Sequence, residues 1–195
     1  PNCRENTPIE IIGPMLKNLA EDSSINIVTL LDHSTNLEEC KRALDSGFSS
    51  IMFDGSKMEF NKNIDMTCKA VELSKSYGAS VEAELGVVGY EKGIKSEFTD
   101  PELAQEFYAA TQVDALAISV GNTHLEQEKA TEVDTKLLSQ IEKFVNCPLV
   151  IHGGSGIKNP QRYWLAKNTA ICKINIGTEL RQVFGEKLRE YLLNN

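Results

Sequence analysis

The sequence is poor in paired cysteines, in basic charge and in long apolar runs, and each shortage excludes a class of protein. Its five cysteines are an odd number with no CxxC pair, which suits buried thiols in a reducing cytosol. No apolar run approaches the length of a membrane span and no signal peptide is visible, so we expect a cytoplasmic protein without a membrane partner. The formal net charge of −8 argues against nucleic acid as a partner.

The remaining pattern is a strict alternation of apolar strand segments and amphipathic helical segments. Six segments read as strands, and a helix follows each of them, which predicts a parallel sheet with right-handed crossovers. The predicted strands are residues 25–31, 49–53, 80–84, 115–120, 148–151 and 171–175. The predicted helices are residues 8–21, 36–46, 61–77, 101–112, 134–145, 160–168 and 178–193, with Asp100 as a helix cap and Gly47 closing the second helix.

Polar residues recur at or just past the C-terminal ends of these strands. They are Asp32, His33, Asp54, Glu84, Gly121 with His124, His152 and Asn175. In an open sheet, ligands gather only near the switch point, whereas in a (β/α) barrel every strand ends at one common site. We therefore expect a TIM (β/α)8 barrel, formed by a single domain over residues 1–195. This sequence holds six βα units, the third to the eighth, so we expect the first two strands to lie outside it.

Three histidines are the only ones in the chain, and all three follow predicted strands. His33, His124 and His152 match a catalytic zinc site with three histidine ligands and an open position. Asp32 precedes His33 directly, which is a position for a general acid/base beside the metal, or for a plain helix cap. Asp54 and Glu84 are acceptors that hold the N–H groups of the histidines, an alternative metal position, or ordinary turn residues.

A glycine-rich turn follows His152 at once. The turn, Gly153-Gly154-Ser155-Gly156, predicts bare backbone N–H groups that cradle a phosphate. The next helix starts near Asn159-Pro160, so we expect the cradle to lie ahead of that helix's N-terminus. The alternative is a glycine turn in the left-handed conformation beside a core histidine.

Several of these segments together resemble one family. They are Leu30-Leu-Asp-His33, Phe53-Asp-Gly-Ser56, Val81-Glu-Ala-Glu-Leu-Gly86, Ile151-His-Gly-Gly-Ser-Gly156 and Lys173-Ile-Asn-Ile-Gly-Thr178. In this order, over nearly the whole chain, they are similar to the class II, zinc-dependent ketose-bisphosphate aldolases, a group that includes fructose- and tagatose-bisphosphate aldolases. The resemblance implies a lyase of carbohydrate metabolism and glycolysis. Such an enzyme reversibly cleaves a ketose 1,6-bisphosphate to dihydroxyacetone phosphate and an aldehyde.

The resemblance also implies a role for each matching residue. It gives zinc to His33, His124 and His152, and makes Asp32 the acid/base. It gives the triose phosphate to Gly153, Gly154, Ser155, Asn175 and Thr178, and a monovalent cation, Na⁺ or K⁺, to Gly121, Gly153 and Ser155. The partner is then a phosphorylated ketose, and the assembly a homodimer or homotetramer.

The chain departs from the family pattern in two places. Members often carry Gly-Thr-x-His-Gly where this chain has Gly121-Asn-Thr-His-Leu125, and the loop after Glu84 leaves the enolising base uncertain, with Glu91 as a weak candidate. Other functions stay open. They are a Schiff-base aldolase using Lys173, a zinc hydrolase, an aldolase for another phosphorylated keto-sugar, and a sugar-phosphate-binding relative without turnover.

Overall fold

The computed structural model describes residues 4, 6–90, 95–125 and 131–194. The chain divides into two compact units: Pro1–Leu85 with Glu106–Leu116, and Gly86–Gln105 with Ala117–Asn195. The single domain expected from the sequence stays a prediction. Among the described residues, no helix is long and apolar enough to span a membrane.

Strands and helices alternate along the described chain. The helices are α1 (Ile9–Glu21), α2 (Leu37–Asp45), α3 (Phe60–Lys75), α4 (Pro101–Thr111), α5 (Thr135–Phe144), α6 (Asn159–Asn168) and α7 (Thr178–Asn194). The strands are β1 (Leu30–Ser34), β2 (Ser50–Phe53), β3 (Ser80–Leu85), β4 (Gly89–Tyr90), β5 (Ala115–Ile118), β6 (Thr123–His124), β7 (Leu149–Ile151) and β8 (Ile171–Ile174). A short 3₁₀ turn covers Gly154–Gly156.

Six of these strands form one sheet in the order β1-β2-β3-β5-β7-β8. Neighbouring strands pair in parallel: Leu30 pairs with Ser50, Ser50 with Ser80, and Leu149 with Ile171. The six parallel strands predicted from the sequence, in chain order and each followed by a helix, are confirmed. A parallel sheet places the C-terminal ends of its strands along one edge, so polar residues at those ends are neighbours within each unit.

Strands β2 and β7 are buried on both faces. Ile51, Met52 and Phe53 of β2 and the three residues of β7 have no exposed surface. Continuous apolar runs of this kind are typical of parallel strands covered by helices on both sides. Full burial of such side chains stabilises a fold by about 1.5–3 kcal/mol each, so these strands are firm supports for the residues that follow them.

Helix ends occur where polar caps and glycines predicted them. Asp100 accepts two backbone hydrogen bonds from the first turn of α4, as expected of an N-cap. Gly47, with a φ of +89°, follows the end of α2, also as predicted. Asn36 caps the start of α2 by accepting a hydrogen bond from the amide of Glu39 at 2.8 Å. Caps of this kind contribute about 1 kcal/mol each.

The first strand is displaced from its predicted position. The sequence predicted a strand over 25–31 that ended before Asp32, but β1 runs from Leu30 to Ser34 and contains Asp32 and His33. The ladder begins at Leu30 because its partner strand begins at Ser50, and residues 25–28 are exposed. Apolar composition alone therefore placed the strand about five residues early.

A second, two-stranded sheet was not predicted. Residues 87–99 were interpreted as loop, yet Gly89 and Tyr90 form β4, which pairs in parallel with Thr123 and His124 of β6. Both strands are only two residues long, and Gly89 carries no strand preference. The pairing matters because it fixes the backbone of His124.

Candidate functional site

In the first unit, three polar side chains gather at the ends of β1, β2 and β3. His33 lies in β1, Asp54 directly follows β2, and Glu84 lies in β3. Ligand atoms of these three residues all lie within 4.8 Å of one another, so the group could hold a metal ion. The sequence predicted these residues at strand ends, and the structure brings them together within this unit.

The backbone of His33 is unusual. Its φ is +49°, in the left-handed region, and the β1–β2 register shifts between Leu31 and Ser34. A side chain other than glycine in this region costs about 1 kcal/mol or more. The turn at His33 interrupts the regular alternation of the strand, so the imidazole direction is set by this local conformation and not by the strand's pleat.

Asp54 fixes the proton position on His33. Its Oδ2 lies 2.7 Å from Nδ1 of His33, and its Oδ1 accepts hydrogen bonds from the hydroxyl of Ser56 at 2.6 Å and the amide of Ser56 at 3.1 Å. Burial raises the pKa of Asp54, but the hydrogen bonds from His33 and Ser56 outweigh burial and lower the pKa to about 2. An ionised carboxylate only accepts, so Nδ1 donates, and in the neutral ring Nε2 is the acceptor nitrogen.

The charge around His33 favours its protonated form when no cation is bound. Burial lowers the pKa of His33, but the hydrogen bond to Asp54 and the charges of Glu84, Asp32 and Asp54 together raise it. Glu84 Oε2 lies 3.7 Å from Nδ1 of His33, and this carboxylate is buried. A pocket of carboxylates that attracts a proton also attracts a metal cation, which is the electrostatic condition that a metal ligand needs.

Asp32 is the most accessible acid of this group. Its side chain is 40% exposed, and its Oδ1 lies 4.0 Å from Nε2 of His33. Because Asp32 and His33 are adjacent in the chain, the carboxylate lies beside the imidazole. The distance of 4.0 Å between Oδ1 and Nε2 is too long for a direct hydrogen bond between these two atoms. The carboxylate of Asp32 can therefore contact a substrate hydroxyl, while the imidazole of His33 stays available to bind a metal ion.

In the second unit, His124 and His152 face each other. His124 belongs to β6, and His152 follows the buried strand β7. Their ring centroids are 5.7 Å apart and their planes are nearly perpendicular, at 87°. The edge-to-face arrangement keeps ring nitrogens of two histidines in one small region of this unit.

Two asparagines hold His152. Nδ2 of Asn175 lies 3.3 Å from Nε2 of His152. Asn122, which is fully buried, donates from Nδ2 to the carbonyl of His152 at 3.0 Å and to the carbonyl of Ile118 at 3.3 Å, while its Oδ1 accepts from the amide of Val120 at 2.8 Å. Asn122 was not predicted from the sequence. The pattern that could have indicated it is an asparagine directly after a glycine at a strand end, where such side chains often form hydrogen bonds to the nearby backbone.

The glycine-rich turn differs from its prediction. Its amides were expected to be bare, but Gly154 donates to the carbonyl of Asn175 at 2.9 Å and Gly156 donates to the carbonyl of Gly153 at 3.2 Å. A 3₁₀ turn uses amides internally, which glycine content alone does not reveal. Ser155 Oγ instead accepts from the amides of Gly177, at 3.3 Å, and Glu179, at 3.2 Å.

The turn lies ahead of α6, as predicted, and it also contacts the start of α7. Only Ile157 and Lys158 separate the turn from Asn159, the first residue of α6. Ser155 contacts the first turn of α7, which starts at Thr178. Amides at a helix N-terminus and a serine hydroxyl are both suited to an anion. Ser155, Asn175 and Thr178 thus lie around the start of α7.

Gly121 and Gly153, both in the second unit, adopt left-handed conformations. Gly121 has a φ of +98° and Gly153 a φ of +67°. A Cβ on Gly153 would overlap the carbonyl oxygen of Thr123. The chain segments that carry His124 and His152 are therefore so close at this point that only a glycine, which has no Cβ, fits there. These are two of the residues that the sequence assigned to a monovalent cation.

The sequence also named a candidate Schiff-base lysine and a candidate enolising base. Lys173, the candidate for a Schiff base, lies in β8 and is half-buried. Glu91, the weak candidate for the enolising base, lies outside the described residues.

Comparisons with known proteins agree on one family. The family model described as "Fructose-bisphosphate aldolase class-II" matches residues 1–195. The 6-phospho-5-dehydro-2-deoxy-D-gluconate aldolase of Shouchella clausii is 37% identical over 186 residues, covering 94% of this chain and 62% of that protein. The fructose-bisphosphate aldolase of Mycoplasma genitalium is 37% identical over 192 residues, covering 95% of this chain and 65% of that protein. The chain thus spans less than two thirds of these relatives' length.

A solved structure gives the same result for the fold. The crystal structure of the YdjI aldolase from Escherichia coli K12 matches with a TM-score of 0.83 and 33% identity, over 95% of this chain and 66% of that one. The predicted fold class, six βα units of a (β/α) barrel, is confirmed.

Proposed function

This chain belongs to the class II fructose-bisphosphate aldolase family, and from that membership we propose that it carries out zinc-dependent aldol cleavage of a phosphorylated ketose. The substrate is a ketose 1,6-bisphosphate of the fructose or tagatose type, cleaved to dihydroxyacetone phosphate and an aldehyde. The second candidate is another phosphorylated keto-sugar, because one relative is named for 6-phospho-5-dehydro-2-deoxy-D-gluconate.

The observation that carries the proposal is the arrangement of His33. The ionised Asp54 accepts a hydrogen bond from Nδ1–H of His33, so Nε2 is the acceptor nitrogen that a metal requires. In the proposal, His33, His124 and His152 are the three ligands, and three imidazoles suit zinc well. Asp54 and Glu84 orient His33 or offer an alternative position for the ion. Bound zinc supplies Lewis-acid stabilisation of the negative charge that develops beside the ketone.

Asp32 moves the proton in this proposal. Its carboxylate accepts the proton of the hydroxyl on the carbon that becomes the aldehyde. As that O–H bond breaks, a C=O bond forms and the adjacent C–C bond breaks, which leaves its electron pair on the carbon beside the ketone. The exposure of Asp32 supports the role, since the group has to reach substrate. In the reverse direction Asp32 returns the proton to the new alkoxide.

Substrate phosphate binds around the start of α7 in this proposal. Gly153, Gly154, Ser155, Asn175 and Thr178 are the proposed residues. The support is the contact between Ser155 and the start of α7, where Oγ accepts from the amides of Gly177 and Glu179, so a hydroxyl and a helix N-terminus lie together. A phosphate held away from the reacting carbons fixes the register of the substrate. Na⁺ or K⁺ near Gly121, Gly153 and Ser155, a cytoplasmic location, and a homodimer or homotetramer belong to the same proposal.

Metal analysis paired with a cleavage assay tests the proposal. The purified protein is assayed for bound zinc and for release of dihydroxyacetone phosphate from fructose 1,6-bisphosphate, tagatose 1,6-bisphosphate and 6-phospho-5-dehydro-2-deoxy-D-gluconate. We expect about one zinc per chain, cleavage of one of the three substrates, and loss of both zinc and cleavage in His152→Ala.

Chelator and borohydride distinguish the rival chemistries. Chelator is expected to abolish cleavage, and added zinc to restore it. Cleavage that resists chelator and is trapped by borohydride on Lys173 would overturn the proposal in favour of a Schiff base. Zinc binding without cleavage of any substrate would favour a sugar-phosphate-binding relative.

A further inference from the structure

The side chain of Arg4 contacts the backbone at the point where β1 carries Asp32 and His33. Nη1 donates to the carbonyl oxygen of Asp32, and Nη2 donates to the carbonyl oxygen of His33 at 3.1 Å. The same guanidinium pairs with Glu39, with Nε to Oε1 at 2.8 Å and Nη2 to Oε2 at 3.3 Å. One planar group therefore bridges a strand end and the first turn of α2.

The two carbonyls belong to the peptide groups on either side of the Cα of His33. The orientation of these two peptide planes relative to each other is what φ and ψ of His33 describe. His33 has a φ of +49°, which a histidine seldom adopts without support from its surroundings. Hydrogen bonds from one rigid guanidinium to both planes hold this backbone conformation directly.

Glu39 holds Arg4 in place for this contact. Asn36 caps the helix turn on which Glu39 lies, so the carboxylate rests on an ordered support. The side chains of Arg4 and Glu39 are only 19% and 21% exposed, so solvent screens the pair less than a surface pair. A fork-shaped, charge-assisted contact of this kind constrains direction as well as distance.

We propose that Arg4 is a positioning residue that holds His33 in its metal-binding orientation and Asp32 in its proton-transfer orientation. The inference rests on the proposed function for the roles of those two residues, while the contacts of Arg4 themselves do not depend on it. Arg4 acts through the backbone and touches neither substrate nor metal.

Another arginine in the same unit provides a matched control. Arg42, on α2, pairs with Glu10 at 2.7 Å, but both side chains are about half exposed and this contact joins two side chains away from β1. Arg42→Ala removes one arginine–carboxylate pair from the unit without altering the end of β1. Comparing it with Arg4→Ala separates the loss of an ion pair from the loss of the backbone contact.

The experiment compares wild type, Arg4→Ala, Arg4→Lys and Arg42→Ala by three measurements. Zinc affinity of the metal-free protein is measured by competition with a chromogenic chelator. The ring nitrogen resonances of His33 are recorded by NMR on metal-free protein labelled with ¹⁵N-histidine. The kcat and KM for cleavage of the bisphosphate are measured on the zinc-loaded protein.

We expect Arg4→Ala to weaken zinc binding and lower kcat by about tenfold each, the range seen for groups that orient metal ligands. We also expect it to shift or broaden the His33 resonances and leave KM close to wild type. Arg4→Lys, with a single ammonium in place of the fork, is expected to fall between the two, and Arg42→Ala to match wild type. Circular dichroism checks the fold, and Arg4→Lys answers the question if Arg4→Ala does not fold.

Unchanged zinc affinity and unchanged His33 resonances in a folded Arg4 variant would overturn the inference. Equal losses in Arg4→Ala and Arg42→Ala would do so too, because they would indicate general destabilisation. A wild-type protein that cleaves no ketose bisphosphate contradicts the proposed function alone, since the NMR measurement still decides whether Arg4 positions His33.

Discussion

His33 and His152 are held by different chemical groups in the two units. In the first unit, the ionised Asp54 bonds to the ring of His33, and Glu84 and Asp32 add further negative charge. In the second unit, the partners of His152 are the neutral amides of Asn122 and Asn175. Carboxylates control where a proton lies, whereas amides fix a position without attracting charge.

The difference suggests a division of chemistry between the units. In the proposed function, the metal cation and the transferred proton are held around His33, where the carboxylates lie. The proposed phosphate residues lie around Ser155, whose Oγ contacts the first turn of α7. Substitutions that exchange one environment for the other test this comparison.

Asp32→Asn should have the largest effect. The amide cannot take a proton, so we expect kcat to fall by about 10²-fold or more, while zinc affinity and KM stay near wild type. Steady-state cleavage kinetics with a parallel zinc titration measure all three. Near-normal turnover would show that another group carries the proton, and the first unit would lose its proposed role in proton transfer.

Asp54→Asn should have an intermediate effect. An amide can donate or accept, so it no longer imposes the Nδ1 proton on His33, and we expect zinc affinity to fall by about 10- to 100-fold. Chelator competition is the measurement. The control is Asp45→Asn, an aspartate bonded to Lys41 and Tyr77 on the surface, which should leave zinc affinity unchanged. An equal affinity in both variants would show that the carboxylate partner of His33 has no role in metal binding.

Ser155→Ala should have the smallest effect and should appear in KM. Loss of the hydroxyl removes one partner of a phosphate and of the first turn of α7, so we expect KM to rise about tenfold or less, with kcat little changed. The control substrate is the same sugar without phosphate, whose cleavage should not change. A fall in kcat without a change in KM would place Ser155 with the reacting carbons and remove the contrast between the units.

Local sequence patterns predicted the sheet because its strands are short segments rich in apolar residues that are followed by glycine or polar residues. Leu149-Val150-Ile151 before His152 is an example, and the burial of these strand residues agrees with it. Contacts between distant segments left no such pattern. Nothing in Gly89 and Tyr90 indicates a strand, because their strand exists only by pairing with Thr123 and His124.

The candidate site shows the same limit. Histidines and carboxylates at strand ends could be identified from their residue types. The residues that orient them could not, because they are distant in sequence and come into contact with the site only in the folded chain. Arg4 lies 28 positions before Asp32, and its role depends on the backbone conformation of His33. The glycine turn after His152 was read as a set of bare amides because composition does not report which carbonyls are nearby.

The close packing of the backbone at Gly153 limits how this protein can be redesigned. A single added methyl group at that position overlaps the backbone oxygen of Thr123, so no side chain can be introduced there without moving the segment that bears His124. A close contact between main-chain atoms of Gly153 and Thr123 thus fixes the spacing of the segments that bear His152 and His124. If His124 and His152 bind zinc as proposed, an engineer who wants an ion of another radius has to change these ligands, because the contact between the two segments leaves no room for adjustment.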